Sequence, residues 1–196
     1  MTHADETRIL SQLETKNAHA GAFRRFSRQH WNDGKLSGRD KHIVAVAVAQ
    51  VTRCEYCIEH HAEIGRKLGA SLDDLLAAAY ITAALESIET DEIALSATLG
   101  VDVKQSAISR SSAGQSRDQF VGDILKDDTL SLELRLVTAS AVAFAQKREA
   151  LRDTFHRFAL ENGVSEDALQ EGYAVAAVLR AGAVYAHTLA IAKVFA

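Results

Sequence analysis

One register of 94 residues relates the two halves of this chain, and it limits the fold more than any other feature of the sequence. Leu36-Ser37 recurs as Leu130-Ser131, Lys41 as Arg135, Ile43 as Val137 and Val48 as Val142. Farther on, Gly69-x-Ser71 recurs as Gly163-x-Ser165, Asp73 as Asp167 and Leu75 as Leu169; upstream, Phe26 recurs as Phe120. A repeat of this length is a unit of several elements, two of which bury a shared core. The reading expects one all-helical domain over residues 1–196, with a first unit at 20–90 and a second at 114–196.

Helix is the expected element throughout. The chain has no proline, the residue that breaks helix interiors and that turns and all-β folds normally use. Ala and Leu, strong helix formers, are abundant. Ser37-x-x-Asp40 has an N-capping pattern, and Ser71 is followed by acidic Asp73 and Asp74, as suits a helix start. Gly69 and Gly163 stand where a preceding helix would end. "VAVAVAQV" alternates like a strand, but its small residues and its partner "VTASAVAFAQ" suit close helix packing. The Ser-rich residues 104–118 read as a connector.

Charge is nearly balanced, at −4 with a pI near 6.1, which gives no electrostatic footprint for nucleic acid or anionic lipid. The first residues are polar and acidic, and no uninterrupted apolar run approaches the roughly 18 residues that span a bilayer. The reading expects no nucleic acid, no membrane and a cytoplasmic location, where a Cys pair is more often catalytic or metal-binding than structural.

The only two cysteines lie in "RCEYCIEHH", residues 53–61. With helix resuming at about Arg53, Cys54, Cys57 and His61 fall within roughly 60° on one face. Cys57 and His61 are one turn apart, so the imidazole is placed to take the thiol proton. A thiolate near a helix N-terminus is also stabilised by unpaired N–H groups. On that reasoning Cys57 is expected to attack and Cys54 to resolve. Two other readings stay open: a zinc site with His60 or His42 as fourth ligand, and two buried cysteines used only for packing. Trp31, Phe23 and Phe26 read as core anchors or a pocket rim, and His156 and His187 as single histidines without a partner pattern.

Residues 23–71, with Gly34-x-Leu36, an apolar helix and then Cys54-x-x-Cys57-x-x-x-His61, resemble the carboxymuconolactone decarboxylase superfamily and most closely its alkylhydroperoxidase D-like branch. The resemblance implies an all-α helical bundle of two homologous repeats and a homo-oligomer, often a trimer or hexamer. It also implies reduction of a hydroperoxide substrate by a dithiol that a dithiol or protein reductant regenerates, with no cofactor and no metal. In that branch a His and a Glu relay protons to the cysteine. Here the glutamate position, twelve residues before Cys54, is His42, which serves either as a neutral base or as an ordinary helix-end residue. The position of a second histidine found between the cysteines in some members is Tyr56. The second unit carries Arg148, Leu151 and Phe155 where the first has Cys54, Cys57 and His61, so it is expected to wall the site. The catalytic set expected is Cys54, Cys57, His61 and His42. The alternatives are a lactone or decarboxylation enzyme using a histidine as acid–base group, and a non-enzymatic zinc-binding or redox-sensing oligomer.

Overall fold

In the computed structural model, which describes residues 2–104 and 106–195, the 94-residue register reappears element by element. After α1 (His3–Lys16) come α2 (Ala18–Arg28), a 3₁₀ turn at Gln29–Trp31, α3 (Gly38–Thr52), α4 (Glu55–Lys67) and α5 (Leu72–Glu86). A hairpin of β1 (Ile93–Leu95) and β2 (Val101–Val103) precedes α6 (Ser112–Lys126), α7 (Leu132–Ala145), α8 (Glu149–Glu161) and α9 (Glu166–Val194). The helices α2, α3, α4 and α5 each start 94 residues before α6, α7, α8 and α9. Their punctuation repeats too. Ser37 and Ser131 cap α3 and α7, Ser71 and Ser165 cap α5 and α9, and Gly69 and Gly163 take positive φ just past α4 and α8. Glycine suits that left-handed position because it has no Cβ.

The centre of the bundle is the pair α3 and α7, which pack on each other, each with its following helix and with α9. Every residue from Lys41 to Ala49 is buried, which explains the strand-like alternation of this segment. A helix enclosed on all sides needs no polar stripe, and alternate Ala residues let neighbouring backbones approach. Ile43, Val44 and Val48 are fully enclosed, each worth roughly 1.5–3 kcal/mol of apolar burial. Thr82 Oγ1 donates to the Ala47 carbonyl at 2.8 Å and fixes α5 against α3.

Three departures from the sequence reading matter. First, the described residues include a two-stranded hairpin, antiparallel with Ile93 opposite Val103. Second, residues 104–118 are not connector throughout: α6 begins at Ser112, and Arg117, nearly enclosed, pairs with Glu89 Oε2 at 2.7 Å. A buried guanidinium needs such a partner, and that tertiary contact makes helix of a segment whose composition reads as loop. Third, α9 is 29 residues long and holds an 18-residue window of mean hydropathy 1.5, so by length and composition it could cross a membrane. Single polar residues such as Arg180 and His187 interrupt its apolar runs, which is why no uninterrupted stretch stood out. In this fold 39% of that window is buried and the helix packs on α3 and α7.

The extension of α9 beyond residue 180 has no helical image in the first unit, where α5 stops at Glu86. It reaches α1, α2 and α4 instead. Tyr185 OH donates to Glu14 Oε1 at 3.0 Å and lies 3.3 Å from the Leu10 carbonyl, joining the two ends of the chain over α4.

Candidate active site

The cysteine motif begins at a break between helices. α3 ends at Thr52, Arg53 adopts left-handed φ 52°, and α4 starts only at Glu55. Lys147 makes the same turn in the second unit, at φ 62°. Cys54 is therefore the N-cap of α4, two residues earlier in the geometry than a helix resuming at Arg53 would place it. Its Sγ accepts the Cys57 N–H at 3.3 Å, a sulfur version of the N-cap hydrogen bond that Ser or Asp usually makes. Cys57, at the third helical position, and His61 remain one turn apart on α4.

Both sulfurs are buried and free. The Cys57 thiol, hydrogen-bonded to Cys54, and the Cys57 N–H bring Cys54 down to about 7 against the opposing effect of burial. The same thiol–thiol contact, with burial, pushes Cys57 upward. The pair thus loses a first proton near neutrality and holds the second tightly. The lowered group is Cys54, whose sulfur accepts the Cys57 N–H at the helix start. The sulfur cap favours the thiolate on Cys54, whereas the one-turn spacing to His61 favours Cys57 as the attacking sulfur.

His61 is turned toward another histidine. Its Nδ1 lies 2.9 Å from His42 Nδ1, so the residue at the relay-glutamate position is brought against the motif histidine. Burial first, then the neighbouring imidazoles, hold His61 well below its ordinary range, and burial holds His42 at about 4. Both rings are neutral at pH 7. One must then donate its Nδ1–H and the other accept it, which leaves a bare Nε2 on the donor and an Nε2–H on the acceptor. Trp31 covers the pair, with ring centroids 4.7 Å from each imidazole, and its Nε1–H donates to Ser27 Oγ at 3.2 Å. Asp40 is spent on capping α3 with Ser37, and Glu59 lies beside His3; neither joins the histidines.

The second unit shows what these positions hold where the Cys and His residues are absent. Trp31, His42, Cys57 and His61 correspond to Leu125, Leu136, Leu151 and Phe155, of which none is more than 1% exposed. The fold fills this space well with hydrocarbon, so the polar cluster is an addition that stability does not demand. Arg148, in the place of Cys54, has become a strut: it bonds Asp91 at 2.6 Å and the carbonyls of Leu85 and Thr90. His156 does have partners, Tyr173 OH at 2.9 Å and Glu166 at 3.1 Å.

Two cavities flank the dithiol. An inner chamber of about 150 Å³ is bordered by Cys57, His61, His60, Trp31 and the α9 residues Leu179 and Tyr185. An outer cavity of about 340 Å³ is bordered by Cys54, Arg53 and, from the end of α9, Ala186, Ala190 and Lys193. Tyr56 borders both, its hydroxyl 3.3 Å from Thr7 Oγ1 of α1. Glu14, Arg24 and Tyr185 also line the inner chamber, and sequence reasoning missed them. Nothing in α1 or α9 marks them, because only the closure of both chain ends over α4 brings them there. His60 and Tyr56 had a signal, their place within the motif. Among the described residues no three His, Cys, Asp or Glu side chains are grouped to hold a metal ion.

The chain matches the Carboxymuconolactone decarboxylase family twice, over residues 18–99 and 112–194. It belongs to that family. A Paracoccus denitrificans protein named "Uncharacterized protein 4 in cox locus" is 38% identical over 77 residues, covering 38% of this chain and 69% of that protein. No solved structure matches. Carboxymuconolactone decarboxylase family members include decarboxylases and peroxidases, so membership leaves the choice of chemistry to the site itself.

Proposed function

We propose that this member of the family is a thiol-dependent peroxidase or disulfide reductase of the alkylhydroperoxidase D-like kind, working through Cys54 and Cys57. The observation that carries this reading is the sulfur cap: Cys54 Sγ accepts the Cys57 N–H at the start of α4, beside a second free thiol. Cys54 thiolate attacks the outer oxygen of a hydroperoxide; an S–O bond forms, the O–O bond breaks, and the departing alkoxide takes a proton from solvent. Cys57 sulfur then displaces hydroxide from the Cys54 sulfenic acid. The disulfide forms, and the Cys57 proton leaves with the hydroxide as water. His61, one turn from Cys57, and His42 behind it form the neutral pair that carries this proton. An external thiol or dithiol restores the reduced pair.

The test is to mix reduced protein with tert-butyl hydroperoxide and titrate free thiols, then follow turnover with dithiothreitol. Loss of two thiols per chain, with turnover abolished in Cys54→Ser, is expected. Thiol content unchanged by hydroperoxide would remove this reading and leave the acid–base alternative, in which His42 and His61 act on a lactone or carboxylate without the sulfurs.

A further inference from the structure

The two sulfurs do not share an approach. Cys54 borders the outer cavity and Cys57 the inner chamber, with Tyr56 between them and clamped by Thr7. Displacement at sulfur requires the attacking atom, the attacked sulfur and the leaving sulfur to lie nearly in line. A thiol that attacks Cys57 must come from the side away from Cys54, and the cavity that Cys57 borders is the inner chamber. One that attacks Cys54 must come from the side away from Cys57, and Cys54 borders the outer cavity. Exchange is faster when the sulfur expelled is the more stable thiolate, and the capped position of Cys54 makes it the better leaving group. Cys54 is also the sulfur that meets the oxidant, so its side of the dithiol serves the first half-reaction.

We propose that the two half-reactions use opposite faces of the dithiol: hydroperoxide reaches Cys54 through the outer cavity, and a small thiol reductant attacks Cys57 from the inner chamber. This rests on the redox reading above. In the reductive step a thiolate bonds to Cys57 sulfur, the Cys54–Cys57 bond breaks, and Cys54 leaves as the thiolate. A second thiol then attacks the sulfur of the first, forming the external disulfide; Cys57 leaves as thiolate and takes up the second thiol's proton. Two thiols are oxidised for each hydroperoxide reduced to alcohol and water. The inner chamber, at about 150 Å³, has room for a slim thiol but not for a folded protein.

The faces can be blocked separately. Ala190 and Ser11 are exposed helical positions bordering the outer cavity and the inner chamber respectively. Ala190→Trp is expected to slow disulfide formation by tert-butyl hydroperoxide at least about tenfold while leaving reduction by dithiothreitol within about twofold; Ser11→Trp should do the reverse. The opposite pattern, or equal slowing of both steps by one variant, overturns the proposal. A second measurement needs no variant. Wild-type protein oxidised with diamide is given a brief pulse of 2-mercaptoethanol, quenched with acid, and mapped by mass spectrometry. The mixed disulfide is expected on Cys57, and finding it on Cys54 overturns the assignment of faces. Because diamide replaces hydroperoxide, this result stands even if the protein proves inert to peroxides, an outcome that would defeat the peroxidase reading alone.

Discussion

Replacing both His42 and His61 with leucine separates their contribution to chemistry from their contribution to the fold. Leu136 already fills the place of His42 in the second unit; with Trp31 present where that unit has Leu125, leucine rather than phenylalanine suits position 61. Each histidine is buried and neutral, and in the unfolded chain each would titrate near 6.5. His42 is held at about 4 by burial, so below pH 6.5 the unfolded state binds more protons and stability falls as pH drops toward 4. That shift is worth roughly 3 kcal/mol in full, and about 2 kcal/mol of it is lost by pH 5. His61 moves in the same direction. The double variant should therefore lose at least about 2 kcal/mol less than wild type between pH 8 and pH 5. At pH 8 it should be no less stable, because both partners of the 2.9 Å bond are removed together. His42→Leu alone leaves His61 Nδ1 buried without a partner and should cost about 1–3 kcal/mol. Urea unfolding followed by the fluorescence of Trp31, the sole tryptophan, measures all four corners of the cycle. Equal pH dependence in wild type and double variant, or a double variant as unstable as the sum of the singles, would refute the buried neutral pair.

Three further outcomes are expected. In a limited iodoacetamide pulse on reduced protein, Cys54 should label before Cys57, with a rate midpoint near pH 7; Cys57 labelling first would return the attacking role to it. Glu171 of α9 accepts from the Lys35 and Leu36 amides and from the buried Lys41 ammonium at 3.0 Å, and a Cβ at Gly34 would run into its carboxylate. Glu171→Ala should destabilise by roughly 2–4 kcal/mol, since it strands a buried cation and frees the loop after Trp31; a denaturation midpoint equal to wild type would count against that account. Leu72, Leu76 and Tyr80 form an exposed stripe on α5, as do Val184 and Ile191 on α9; faces of this kind are suited to a second copy. Light scattering should give a mass above 21.2 kDa, and a concentration-independent monomer mass would exclude the homo-oligomer.

Much of this molecule was legible in one dimension because its determinants are local. The 94-residue register, the missing proline and the Ser and Gly punctuation fix where helices begin and end, and those signals act within a few residues. The pair Cys54 and Cys57 and the one-turn spacing to His61 were likewise set by the sequence. Tertiary structure decided the rest. The left-handed Arg53 ends α3 and turns Cys54 into a cap whose sulfur accepts the Cys57 N–H. His42, 19 residues from His61, became its partner only when α3 packed on α4. Arg117 acquired its carboxylate from residue 89 and drew a Ser-rich segment into helix. The inner chamber exists because Tyr185, at one end of the chain, meets Glu14 at the other. Periodicity and capping rest on neighbours three or four residues away. The polarity and access of a buried sulfur rest on which distant side chains close over it, and those contacts form only when the helices pack.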